Sequence, residues 1–458
     1  MSKEVICTKN APAAPPYASQ GIIHNGVIHC SGSLAFEDGT MKVISGGVQA
    51  ETRQIIRNLS AILEQGGSSL DNVIKVNIFL TSIDDFKAMN EVYEEVFSKC
   101  AQKPISIQQH TMPNIVVIGA GVSGLTSAYL LSKDPHNIIV VIAKHMPGDY
   151  DVEYASPWAG ANFVPTWPYL KKLATSVPEA GIHLQSCRLY RREKDLNKLG
   201  SENSSILSNV FAKDPWYLEL VDDYKDLESD ELPPGIASGC EFGSLCINPA
   251  LYLPWLVGQC RANGVTFHRR TLNHVAEVRS LSVGCSKVDV IVNATGLSAS
   301  NLGGVLDQNM FPIRGQTVVV RNIAPTMIIQ SGTDDGDDHA CYMMTRATGG
   351  GTILGGTMQV GSWESQPDLD VADMIMRRAV NIAPELTNGK GPEHLDIIRH
   401  GVGLRPGREG GVRLEKEKID GVWVVHNYGH AGWGYQGSYG CAEEVVGLVD
   451  SITPHAKL

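Results

Sequence analysis

Six residues, Gly119-Ala-Gly-Val-Ser-Gly124, carry the most readily named chemistry in this 458-residue sequence. Glycine at the first place allows a tight turn. Glycine at the third lets a phosphate approach the main chain, and glycine at the sixth lets a helix pack closely on a strand. The helix that follows turns its free N–H groups toward the anion. Ile115-Val-Val-Ile118 precedes the turn, Leu125, Ala128, Tyr129 and Leu131 follow at helical spacing, and Ile138-Ile-Val-Val-Ile142 comes next. Strand, glycine turn, helix and strand make a dinucleotide-binding unit, with Gly119, Ala120, Gly121, Val122, Ser123 and Gly124 as its contacts. The competing reading is a glycine turn with a purely structural purpose.

Three more stretches suit a cofactor wall. Ala155-Ser-Pro-Trp-Ala-Gly-Ala-Asn162 is rich in small residues, as backbone packed on a flat ring would be; its candidates are Ser156, Gly160, Ala161 and Asn162. Val290-Ile-Val-Asn-Ala-Thr-Gly296 ends an apolar run in Asn293, Ala294, Thr295 and Gly296, small groups at a strand's carboxyl end. His426-Asn-Tyr-Gly-His-Ala-Gly-Trp-Gly-Tyr-Gln436 follows the strand Val422-Trp-Val-Val425 and precedes a helical pattern from Ala442. Its glycine-rich backbone, with Gly432, Trp433, Gly434, Tyr435 and Gln436, offers an anion or oxygen-acceptor site. One feature is missing. Ala143-Lys144-His145 stands where an Asp or Glu usually closes the second strand and holds the ribose.

Size and composition bound the rest. The length predicts two or three domains. Hydrophobic content is 43%, and mean hydropathy is -0.07, as in ordinary globular proteins. A net charge of -11 disfavours a nucleic-acid surface. No stretch reads as a membrane span, and the first ten residues lack the apolar core of a signal peptide. Ten scattered Cys form no CxxC pair, which predicts reduced thiols and no metal site. The final Ala456-Lys457-Leu458 resembles the Ser-Lys-Leu address, which predicts a peroxisomal import receptor as partner and the peroxisome matrix as location.

Residues 1–108 read as a small α+β module. Asn25-Gly26 joins a hairpin over residues 22–30. Val48, Thr52, Ile55, Ile56, Leu59, Ile62 and Leu63 make one helical stripe, ended by Gly66-Gly67. Residues 73–80 predict a strand, and residues 83–97 a second amphipathic helix. Ala14-Pro-Pro-Tyr-Ala-Ser-Gln20, Cys30-Ser-Gly32 and Glu51–Leu59 make this segment resemble the reactive-intermediate (enamine/imine) deaminase family. So do Gly66–Val73 and Asn90-Glu-Val-Tyr93. The resemblance breaks off at Lys103-Pro104: Ile105-Ser106 follows in place of the family's carboxylate-binding Arg, and the last strands are absent. It therefore implies an incomplete module, a fold remnant or interaction module rather than a working imine hydrolase.

Residues 112–458 resemble the D-amino-acid oxidase family. The resemblance rests on Ser156-Pro-Trp-Ala-Gly-Ala-Asn162, Arg314-Gly-Gln316, Gly355-Gly-Thr-Met-Gln-Val-Gly-Ser-Trp363 and Arg399-His-Gly-Val-Gly-Leu-Arg-Pro-Gly-Arg408. It implies an α/β architecture: a Rossmann-like FAD-binding domain over 112–165, 255–305 and 395–458, and a mixed-sheet substrate domain over 166–254 and 306–394. It implies FAD as cofactor and oxidative deamination of a D-amino acid by O2 to a 2-oxo acid, ammonia and hydrogen peroxide, with a homodimer as one assembly. By the same resemblance Arg405 clamps the substrate carboxylate, a task suited to a planar guanidinium. Tyr342 adds a hydrogen bond, Gly432 and Gln436 lie near flavin and substrate amine, and Leu272 and Lys144 serve the adenosine end. Met358 occupies the pocket position where relatives place Tyr or, in D-aspartate oxidases, Arg. A thioether offers no charge to a side-chain carboxylate, so neutral or apolar substrates are expected. Phe163-Val-Pro-Thr-Trp167 is a shorter linker than the family's. Two alternatives stay open: another amine oxidase of the same family, such as a D-aspartate oxidase, and a flavin-less interaction protein.

Overall fold

The computed structural model describes residues 3–37, 42–80, 83–98, 107–111, 113–160, 167–197, 208–212, 215, 217–280 and 288–453. It divides into two compact units, residues 1–112 and 113–458. Ala161, Asn162, Phe163–Thr166, Lys103–Ser106 and the Ala456–Leu458 tripeptide lie outside the described residues.

In the first unit, strands Glu4–Ile6, Gly21–His24 and Val27–Cys30 form an antiparallel sheet. Asn25 and Gly26 both take positive φ, 53° and 76°, as the hairpin turn requires. The helix Gly47–Gln65 ends where Gly67 turns left-handed at φ 79°. The predicted strand begins three residues late, at Val76, because Leu70–Asn72 coil into a single 3-10 turn. It pairs in parallel with Ile107–Thr111, so the module extends past the expected boundary at 108. Ile56, Met89, Val92, Tyr93 and Phe97 are buried between the first helix and Phe86–Phe97.

The second unit holds two sheets. The smaller runs Thr266–Arg269, Ile138–Ala143, Asn114–Ile118, Val290–Asn293, Val422–His426 and Lys416–Ile419. Its first five strands are parallel, and the last is antiparallel. Apolar runs such as Ile115-Val-Val-Ile118 are buried on both faces, which is why they lack alternation. Helix Val122–Leu131 packs between Ser438–Ile452 and Pro249–Ala262 and is buried almost all round.

The larger sheet is mixed, with nine strands. Its path includes Met310–Val320, Thr352–Thr357, His339–Thr345, Met327–Gln330, Ile182–Arg192 and Ile236–Ile247. Only Met327–Gln330 and Ile182–Arg192 pair in parallel along that path. Ile397–Arg408 pairs with the whole of Met310–Val320. This differs from the expected domain limits, which gave residues 395–408 to the cofactor half. An eleven-position antiparallel ladder ties them to the substrate half instead.

Candidate active site

The strand Asn114–Ile118 of the smaller sheet runs into the glycine turn. Gly119 has φ 110°, and a side chain there would collide with the Ala294 carbonyl of the neighbouring strand end. A Cβ on Gly124 would strike the Gly119 carbonyl, so the first and last glycines are fixed by backbone approaching backbone. Val122 N–H donates to Ser156 Oγ at 3.0 Å, and Tyr154 Oη donates to the Ala120 carbonyl at 2.6 Å. Tyr435 Oη donates to the Ser156 carbonyl at 2.9 Å. The turn, the Ser156 segment and the Gly432–Gln436 segment thus form one bonded wall.

That wall lines a cavity of about 530 Å³, which continues across the face of the larger sheet. Gly119–Ser123, Lys144, Ser156, Gly160, Leu272, Ala294–Gly296, Tyr342, Met358, Arg405 and Gly432–Gln436 all line it. Two candidates stand behind it. Gly124 is taken up by helix–turn packing. Asn293 is fully buried, its Oδ1 accepting from Thr295 N and Oγ1 and its amide facing His426 Nδ1 at 3.2 Å. It shapes the wall without touching the cavity.

Arg405 and Tyr342 converge through a simple device. They lie on strands flanking Met310–Val320 and Thr352–Thr357, and the floor between them is glycine. A Cβ on Gly315 would run into the Arg405 guanidinium, and one on Gly355 into the Tyr342 ring. Both long side chains therefore lie inward, flat on bare backbone. Arg405 Nη1 donates to the Thr357 carbonyl at 3.0 Å, which leaves the rest of the fork facing the cavity. Strand register carries the face onward from Tyr342 to Ile329, then to Leu189, with Phe242 beyond opposite Cys187. Three inter-strand steps make roughly 14 Å of apolar wall. Among the described lining residues, Arg405 is the one cation on this side; Lys144 and Arg270 line the other end.

The motif residues around Arg405 have structural work. Arg314, 3% exposed, binds Gln359 Oε1, Gln316 Oε1 and the Glu364 and Gln366 carbonyls, so it ties down the segment after Thr357. Burial lowers its pKa. Arg408 donates to buried Asp307 at 2.8 Å and anchors the end of the Arg405 strand.

Sequence reasoning passed over two residues. His430 lies in a quoted motif, yet was not singled out. Its Nδ1 is 3.5 Å from Ser123 Oγ, and burial pushes its pKa down to about 4, so the imidazole is neutral near neutral pH. Glu153 also lines the cavity, its Oε2 2.5 Å from Lys144 Nζ. That hydrogen bond raises the Lys144 pKa. No strand position announces Glu153, since it sits on an irregular loop.

The FAD dependent oxidoreductase family model matches residues 114–448. A D-amino-acid oxidase of Fusarium vanettenii is 54% identical over 75% of this chain and 98% of its own length. The chain belongs to the D-amino-acid oxidase family. Its cofactor is FAD, and the cavity fits it: Gly119–Ser123, the glycine turn and the first residues of a helix whose N-cap, Gly121, has no side chain to fill the space, line it directly. A D-amino-acid oxidase of Schizosaccharomyces pombe is 36% identical over 73% of the chain and 95% of its own length, and a D-aspartate oxidase of Talaromyces thermophilus is 29% identical over 74% and 95%. The fold is shared with glycine oxidase from Geobacillus kaustophilus, at TM-score 0.54 and 17% identity over 74% of this chain and 94% of that one. Residues 8–114 match the Endoribonuclease L-PSP family model.

Proposed function

We propose that this D-amino-acid oxidase acts on neutral and apolar D-amino acids. One observation carries the reading: the substrate side of the cavity holds a single described cation, Arg405, beside a wall of Leu189, Phe242, Met327 and Ile329. Arg405 takes the α-carboxylate through the nitrogens that Thr357 does not use, and Tyr342 adds a hydrogen bond from the far side of the glycine floor. With that end fixed, a side chain bearing a second carboxylate has no cation to meet. Met358 lines the cavity and adds apolar surface.

Gly432 and Gln436, on the bonded wall, lie on the amine side. The amine must be neutral when the Cα–H bond breaks, and enclosure by apolar walls favours the neutral form. When bound, FAD supplies two-electron acceptance and its return to O2 as hydrogen peroxide. The chain's own contribution is orientation and exclusion of water, so no side-chain base is needed. The imino acid released then hydrolyses to the 2-oxo acid and ammonia. Peroxide as product supports a peroxisomal address at Ala456-Lys457-Leu458, read by the import receptor; a fluorescent fusion with and without that tripeptide tests it.

A panel of D-Met, D-Phe, D-Ala, D-Asp and D-Glu, assayed by peroxide release with added FAD, tests the substrate reading. Preference for the first three supports it. Faster turnover of D-Asp or D-Glu would overturn it in favour of a D-aspartate oxidase.

A further inference from the structure

The acid missing from the end of the second strand has a counterpart elsewhere in the cavity. In a dinucleotide site the pyrophosphate lies on the helix N-terminus, and the ribose lies one step on, toward the end of the next strand. Here that strand ends at Ala143, and Lys144 and His145 follow it into the cavity wall. Neither can accept two hydrogen bonds from a vicinal diol as a carboxylate does. Glu153 lies beside both. Its Oε2 is 2.5 Å from Lys144 Nζ and 3.6 Å from His145 Nε2, and Oε1 has no hydrogen-bond partner among the described residues.

The loop carrying Glu153 is tied to the phosphate cradle. The adjacent Tyr154 is buried, and its hydroxyl bonds the Ala120 carbonyl inside the glycine turn. Glu153 N–H donates to Asp151 Oδ1 at 2.9 Å, and Trp158 Nε1 donates to the Asp151 carbonyl at 2.8 Å. The His145 ring stacks on Tyr154, with centroids 6.0 Å apart. The loop is therefore held in register with the turn that would seat the pyrophosphate, and Lys144 holds its half-exposed Glu153 carboxylate beside that turn.

We propose that Glu153, delivered by this loop, binds the adenosine-ribose hydroxyls of FAD in place of a strand-end acid. Lys144 takes one carboxylate oxygen and leaves the other to the diol. The role rests on FAD as cofactor and is independent of which D-amino acid is oxidised.

The test is binding, not turnover. Apoprotein is titrated with FAD and with an FAD analogue lacking both adenosine-ribose hydroxyls, read by flavin fluorescence. The wild type is expected to prefer FAD by about 10- to 100-fold, the worth of hydrogen bonds to a charged group. Glu153→Ala should bind the two alike, at the wild-type level for the analogue. Glu153→Gln should fall between, and Lys144→Ala should keep the preference. A wild type that fails to distinguish the two ligands overturns the proposal without any variant. So does Glu153→Ala, or Glu153→Gln if the alanine variant does not fold, discriminating like the wild type.

Discussion

Gly315→Ala places one methyl group where Arg405 lies. The added Cβ would stand 2.6 Å from both Cζ and Nη2 of Arg405, with Nη1 nearer still. Ordinary carbon contacts begin at about 3.5 Å, so the guanidinium must move by about 1 Å. It cannot do so freely, because Nη1 is bonded to the Thr357 carbonyl. Displacing a substrate clamp by about 1 Å costs roughly 100-fold in rate, or about 2.7 kcal/mol. The expected result is a fall of that order in kcat/KM for D-Met in an oxygen-electrode assay. Titrating the apoprotein with FAD separates a displaced guanidinium from a lost cofactor, and the variant should bind FAD as the wild type does. Wild-type kcat/KM in Gly315→Ala would refute the placing of Arg405 on the glycine floor.

Arg405→Lys should cost more than Gly315→Ala, because a point charge cannot reproduce the two-pronged contact; retained kcat/KM would sink the clamp assignment. Met358→Arg supplies a cation beside the apolar wall and should shift the D-Asp to D-Met ratio of kcat/KM by about 10- to 100-fold toward D-Asp, measured by peroxide release. His430 gives a pH prediction. Its folded pKa of about 4 lies below the ordinary 6.5, so the unfolded chain takes up a proton first as pH falls. The stability it contributes is full above about 6.5 and is lost on the way down to 4. Between pH 7 and 5 the wild type should lose about 2 kcal/mol more than His430→Phe in denaturant titrations. Equal losses would contradict a buried neutral imidazole.

Much of the cofactor half was legible because backbone collisions select its residues. Nothing but glycine fits at Gly119 against Ala294 or at Gly124 against Gly119, and those choices are visible as letters. The buried strands were equally plain as unbroken apolar runs. The substrate half was legible through resemblance at Arg405 and Tyr342, but the reason they converge was not. It lies in cross-strand register, which sets Gly315 beneath Arg405 from a strand distant in sequence and Gly355 beneath Tyr342 from the neighbouring strand. The same long-range pairing moved residues 397–408 into the larger sheet. Glu153 was invisible for another reason: an irregular loop has no periodicity, and a carboxylate there reads as an ordinary surface charge. Asn293 shows the converse, a polar residue in a telling motif whose bonds all go to its own wall.

Oxidation of D-amino acids is tested by stereoselective oxygen consumption by the purified yellow protein, with D-Met and L-Met compared at equal concentration and peroxide measured alongside. Consumption with D-Met and stoichiometric peroxide are expected, with none above background for L-Met. A flavin-loaded protein that oxidises neither, or that prefers the L enantiomer, would contradict it.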